Sequence, residues 1–200
     1  MRNTSNFFAY LSRLRWIKRW GLMRNAEPEN VMEHSWEVAT IAHALALTHN
    51  HVFNGQVDAN AIATAALYHD ASEVITGDLP TPIKYHSKSI TEAYQQIEQQ
   101  AEAELIALLP DELKQAYQTC FDSKLQPEIN QRILKVADTL SAHLKCLAEL
   151  RAGNLEFKQS AEITKQKIDS YQIPEADYFM SVFVPAYQLP LERLLTNSEI

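Results

Sequence analysis

Two alanine-rich stretches each place a histidine on an apolar stripe of helical period, and this pairing restricts the chain to a bundle whose helices meet closely around ionisable groups. In the first, His34, Val38, Ile41 and Leu45 follow steps of four, three and four residues, which return to one side of a helix. In the second, Ile62, Ala66, His69 and Glu73 do the same, with Asp70 beside His69. Small alanine side chains let two helix axes approach. An apolar segment that ends in an imidazole and two carboxylates needs something to compensate them. An unpaired charge out of water costs several kcal/mol, or shifts its pKa until it is neutral. A divalent cation supplies that compensation, and mixed imidazole and carboxylate ligands suit zinc, manganese, iron, cobalt or nickel.

Punctuation along the chain divides it into helices. Thr4 or Ser5 caps a first helix whose Phe7, Phe8, Leu11, Leu14 and Ile17 run up to Trp20 and Gly21. Asn30 with Glu33 forms a capping box for a helix to about residue 48, and Asp58 caps one expected over residues 59–74. Thr81 stands as N-cap before Pro82, and the free amides of a helix start there suggest an anion or substrate loop. Ser89 with Glu92 opens a long amphipathic helix that Pro110 ends, and a shorter segment spans residues 111–120. Pro127 begins a helix with the stripe Ile129, Ile133, Val136, Leu140, Leu144 and Leu147, ended at Gly153, and two more follow over residues 154–171 and 175–183. Only 4 of 200 residues are glycine, and no alternating strand pattern occurs, which disfavours a β sandwich. No linker rich in Pro, Gly or Ser divides the chain, so the expectation is one all-α domain over residues 1–200, with the metal-site core at about 30–140.

A net charge of −7 repels polyanions, so neither a nucleic-acid polymer nor an anionic membrane surface is an expected partner. A small anion can still be held locally. Arg13, Arg15, Lys18, Arg19 and Arg24 form either a solvated basic face or the source of one phosphate-binding arm. Cys120 and Cys146 are far apart and fit neither a zinc ribbon nor a disulfide framework. With no apolar signal segment after Arg2, the expected location is the cytoplasm, with both thiols reduced. His43, His49, His51, His86 and His143 lack a favourable placement and are expected to be structural or surface residues. Asp138 lies off the Ile133, Val136, Leu140 stripe, either solvated or facing another helix across its small neighbours Ala137, Ser141 and Ala142.

The order His34, His69-Asp70, Asp138 resembles the H…HD…D pattern of HD-domain metal-dependent phosphohydrolases. The runs FFAYLSRL at 7–14, RWGLMRN at 19–25, EHS at 33–35, YHDASEVITGDLPTP at 68–82 and DYFM at 177–180 are similar, more narrowly, to the bacterial 5′-deoxynucleotidases of that superfamily. The resemblance implies an HD-type helical bundle with His34, His69, Asp70 and Asp138 as ligands to one divalent transition metal such as cobalt or manganese. It implies Glu73 as the catalytic carboxylate, Arg19 orienting the phosphate, and Trp20 contacting the sugar. His34, Asp70, Asp78, Leu79, Pro80 and Thr81 would also border the substrate, and the assembly would be a homodimer. Gly21 departs from the pattern, since a proline is familiar after the Arg-Trp pair.

Hydrolysis of a deoxyribonucleoside 5′-monophosphate to deoxyribonucleoside and phosphate is the activity this resemblance implies. It needs a nucleophile at neutral pH, neutralisation of the phosphoryl oxygens and a proton for the departing alkoxide. A cation, Arg19 and Glu73 answer those needs. Trp20 is either a core aromatic or the apolar bulk that leaves no room for a 2′-hydroxyl. The alternatives are an HD phosphohydrolase acting on a triphosphate or cyclic nucleotide, which the single basic cluster disfavours, and a non-catalytic nucleotide sensor, which Glu73 argues against.

Overall fold

Asn30 starts the helix that carries His34 through a reciprocal cap. Its side-chain oxygen accepts from the Glu33 amide at 3.0 Å, and the Glu33 carboxylate accepts from the Asn30 amide at 3.2 Å. The computed structural model describes residues 4–121 and 126–195, and their regular elements are all helical. These are α1 (Phe7–Leu11), α2 (Val31–His51), α3 (Ala59–Tyr68), α4 (Glu73–Thr76), α5 (Thr81–Lys84), α6 (Lys88–Ala107), α7 (Asp111–Phe121), α8 (Glu128–Arg151), α9 (Lys158–Ser170), α10 (Pro174–Val182) and α11 (Leu191–Leu194), with short 3₁₀ turns between some of them.

Helices α2, α3 and α8 enclose the main core, where Val38, Leu45, Ile62, Ile133 and Leu140 are at most 1% exposed. Burying each of these stabilises the fold by about 1.5–3 kcal/mol, and truncating Leu140 to Ala is expected to cost about 2–5 kcal/mol. Ala39, Ala42, Ala46, Ala59 and Ala66 are buried between α2 and α3, so these two axes do approach over alanine. α9 packs along α8, α10 packs on α2 and α9, and α6 and α7 cover the α3–α4 end. No helix among the described residues is long and apolar enough to cross a membrane.

The helix expected over residues 59–74 stops at Tyr68. The His69 imidazole takes the Ala66 carbonyl at 2.7 Å, and the chain tightens into turns in which the Ala71, Glu73 and Val74 amides donate three residues back, to Tyr68, Asp70 and Ala71. Side chains three apart eclipse in such turns, which brings Asp70 and Glu73 to one side. Gly77, with φ of +72°, then turns the chain out of α4.

Two helix starts and the end of the first helix also differ from expectation. Pro80, not Thr81, precedes α5, because its carbonyl accepts from the Ile83 and Lys84 amides while its ring fixes the approach. Ser87, not Ser89, caps α6 by accepting from the Ile90 amide at 3.3 Å. The first helix is broken sooner than its stripe suggests. α1 gives way to a 3₁₀ turn, Ser12–Trp16, and Ile17 is extended, since residues 17–19 pair antiparallel with residues 29–31. That pairing takes Arg19 and Trp20 off any helix and sets them beside the start of α2.

Candidate active site

Four side chains converge from three elements: His34 from α2, His69 and Asp70 from the turn after α3, and Asp138 from α8. His34, His69 and Asp70 offer atoms that all lie within 4.8 Å of one another. His34 Nε2 is 3.5 Å from Asp70 Oδ2 and 3.2 Å from Asp138 Oδ1, and His69 Nε2 is 3.1 Å from Asp70 Oδ2. Atoms bound to one cation at roughly 2.0–2.2 Å stand about 3–3.5 Å apart, so these separations match edges of a coordination shell. Both Nε2 atoms are buried without an aligned hydrogen-bond partner. The opposite ring nitrogens are engaged. His69 Nδ1–H donates to the Ala66 carbonyl, and His34 Nδ1 meets Ser141 Oγ at 3.1 Å while that hydroxyl donates to Glu37 at 2.6 Å. In that arrangement Nε2 is the ring nitrogen that each histidine turns toward the cluster. The donor set therefore fits a divalent metal.

Charge in the cluster is arranged around that need. Burial would raise the Asp70 carboxyl, but His69, His34 and Arg19 hold it far below the usual carboxylate range. Although its partial burial works the other way, Asp138 is likewise drawn down to about 2 by His34 and His69. For His34, burial and Arg19 oppose a proton, yet Asp138 and Glu29 outweigh them and lift its pKa to about 9. Such a site favours positive charge at its centre.

Above the cluster opens a cleft of about 660 Å³ bordered by Arg19, Trp20, Asp70, Glu73, Asp78, Leu79, Pro80, Thr81 and Asp138. His34, at 1% exposure, lies beneath this wall rather than on it. Glu73 is buried and its Oε2 has no hydrogen-bond partner. Burial, reinforced by Asp70 and Asp78, pushes its pKa up to about 10. The Arg19 guanidinium reaches 3.4 Å from Asp70 Oδ2 and 3.6 Å from Glu29 Oε1. Of the basic residues 13–24, Arg19 is the one drawn into the cleft. The Trp20 ring packs on Phe157 at 5.2 Å between centroids and also lines the cleft.

Several contributors escaped the sequence. Glu29 contacts Arg19, Trp20 and His34 from a loop with no periodicity to mark it. Glu37 and Ser141 support His34 from behind. Lys84, Lys135 and Lys167 border the cleft, so its basic character extends beyond the cluster near the N-terminus. Among the other histidines, His49 pairs with Glu175 at 2.7 Å and His143 meets Thr164 at 2.9 Å, both structural contacts.

A family model described as 5′-deoxynucleotidase YfbR-like matches residues 6–187. A 5′-deoxynucleotidase of Yersinia pestis (strain Pestoides F) is 51% identical over 194 residues, covering 97% of this chain and 98% of the relative. In fold the chain is similar to an HD-domain phosphohydrolase from Listeria innocua, with a TM-score of 0.80 and 24% identity over 91% of this chain and 88% of that one. It is also similar to the HD phosphohydrolase DatZ of cyanophage S-2L, solved with dA and one catalytic Zn²⁺ ion, with a TM-score of 0.64 and 22% identity over 94% and 98% of the two chains. With its HD phosphohydrolase fold and a match along nearly its whole length, the chain belongs to the 5′-deoxynucleotidase YfbR-like family.

Proposed function

We propose that the protein hydrolyses deoxyribonucleoside 5′-monophosphates to deoxyribonucleoside and phosphate, using a divalent cation held by His34, His69, Asp70 and Asp138. The observation that carries this reading is the convergence of two unpartnered histidine Nε2 atoms and two ionised carboxylates beneath a cleft that also holds Arg19 and Glu73. The cation, when bound, neutralises phosphoryl charge and makes a water acidic enough to attack near neutral pH. Arg19 places its forked donor on the phosphate oxygens. Glu73, aimed into the cleft and able to carry a proton, moves that proton to the 5′-oxygen as the P–O5′ bond breaks and the bond from water to phosphorus forms. Trp20 stacks its bulk where a 2′-hydroxyl would sit, and Asp78, Leu79, Pro80 and Thr81 close the nucleotide side of the cleft.

Cobalt or manganese is the proposed metal, with zinc the next choice for a set of two imidazoles and two carboxylates. The proposed assembly is a homodimer. Val182, Phe183, Tyr187 and Leu191 form a partly exposed apolar run near the C-terminal end that supports it. Two cysteines without a disulfide partner, Cys120 and Cys146, support a cytoplasmic setting.

Lys84, Lys135 and Lys167 favour a second reading, hydrolysis of a deoxyribonucleoside triphosphate, although Lys84 is already paired with Glu98 at 2.8 Å. One assay separates the two. Matched ribo- and deoxyribonucleoside mono- and triphosphates are incubated with the purified protein and cobalt, manganese, zinc or magnesium, and the released species are identified. Orthophosphate from deoxyribonucleoside monophosphates is expected; inorganic triphosphate from the triphosphates, or metal-dependent binding with no release, overturns the reading.

A further inference from the structure

Three side chains with separate tasks end on one carboxylate. Glu29 Oε2 accepts the Trp20 indole Nε1–H at 2.9 Å, while Oε1 lies 3.6 Å from Arg19 Nε and 3.5 Å from His34 Nδ1. Its side chain is only 12% exposed, so these contacts are little diluted by water. The backbone fixes its place. The Arg19 amide donates to the Glu29 carbonyl at 3.1 Å, Lys18 pairs with Asn30, and Asn30 is itself locked as the cap of α2. Trp20 in turn has φ of +58°, a left-handed conformation that a bulky residue adopts only when its surroundings hold it. On one side Phe157 packs the ring; on the other Glu29 takes its N–H.

We propose that Glu29 is a positioning residue that sets deoxyribose discrimination by holding the Trp20 indole edge, while the same carboxylate anchors the Arg19 phosphate arm. The inference rests on the proposed roles of Trp20 and Arg19. Chemistry separates the two duties. Glutamine at this position can still present an oxygen to the indole, but its NH₂ group then faces Arg19 Nε, a second donor, and the charge is gone. Leucine of similar size accepts nothing.

The test compares wild type with Glu29→Gln, Glu29→Leu, Trp20→Phe and the Trp20→Phe/Glu29→Leu double variant, each loaded with metal. Two quantities are read. One is the ratio of kcat/KM for a deoxyribonucleoside monophosphate to that for its ribo counterpart. The other is hydrogen exchange at the Trp20 indole N–H by NMR without nucleotide. Glu29→Leu is expected to lower the ratio by about tenfold, on the scale of one hydrogen bond to a charged group, and to speed indole exchange. Glu29→Gln should keep the ratio within about threefold of wild type and raise KM for both nucleotides as Arg19 loosens. Trp20→Phe keeps an aromatic ring but lacks the donor, so its loss should not add to that of Glu29→Leu in the double variant. A wild-type ratio in Glu29→Leu, equal losses in Gln and Leu, or additive losses in the double variant overturns the proposal. If Glu29→Leu folds poorly, the Glu29→Gln and Trp20→Phe arms still decide. Should wild type hydrolyse neither nucleotide, the proposed function fails, and indole exchange alone still reports whether Glu29 holds Trp20.

Discussion

Ser141 donates its hydroxyl proton to Glu37 across 2.6 Å, joining α8 to α2 directly behind the His34 ring. The bond leaves the Ser141 oxygen to accept from His34 Nδ1, which fixes the tautomer and aims Nε2 at Asp70 and Asp138. Ser141→Ala removes that acceptor and lets the ring rotate. Metal affinity is expected to fall by about 10–100-fold, the usual effect of losing the partner of a ligating histidine. Titration of the metal-free protein with manganese or cobalt measures this directly. Unchanged affinity would mean that Glu29, 3.5 Å from the same nitrogen, orients the ring unaided.

The ligand set itself is tested by His69→Ala and Asp70→Ala. Each removes an atom that stands 3.1 Å from the other's, so each should lower bound metal and turnover together. Metal content by elemental analysis, read beside phosphate release, is the measurement. Full occupancy with full activity in either variant rules that residue out as a ligand.

Glu73 separates binding from chemistry. It is surplus to the four ligands, buried, and has an oxygen without a hydrogen-bond partner. Glu73→Ala is therefore expected to lower kcat by about 10²–10⁴-fold, the range for a general acid–base group, with metal content and nucleotide affinity near wild type. Loss of metal would make Glu73 a ligand or the support of one, whereas near-normal turnover would leave proton transfer to another group.

How far the sequence could be read depended on whether local chemistry or distant contacts decided each feature. The cap at Asn30 and Glu33, and the stripe His34, Val38, Ile41, Leu45, are local and appear as expected. The end of α3 at Tyr68 was hidden because the apolar stripe continues through His69 and Glu73; the His69 side-chain bond to Ala66 and the tightened turns end the helix. Asp138 was chosen by resemblance alone, since it lies off the core stripe. In the fold it is 35% exposed at the side chain and approaches His34 across the α2–α8 contact. Glu29 carried no signal, because its role depends on the pairing of residues 17–19 with 29–31, which no periodicity announces.

Glu149 gives a test at a distance from the metal. Fully buried on α8, it accepts from the Ala26 amide at 2.8 Å, the Glu27 amide at 3.0 Å, Asn154 Nδ2 at 2.7 Å and the Lys145 ammonium, and thereby pins the loop between Arg19 and Glu29. Burial alone would raise its pKa, but Lys145, the Ala26 amide and Asn154 bring it down to about 2 from an ordinary 4.5. A depressed pKa means that the folded state binds this proton less readily than the unfolded chain. Its contribution is therefore fully present above about pH 4.5 and fades as pH falls toward 2. Glu149→Gln should lose about 3–5 kcal/mol at pH 7, where Lys145 is left buried without its counter-charge, and should fall less steeply than wild type below pH 4.5. Urea unfolding at pH 7, 4.5 and 3 gives both quantities. Equal slopes in the two proteins would place the acid sensitivity in other carboxylates, and equal stability at pH 7 would show that the loop does not depend on this anchor.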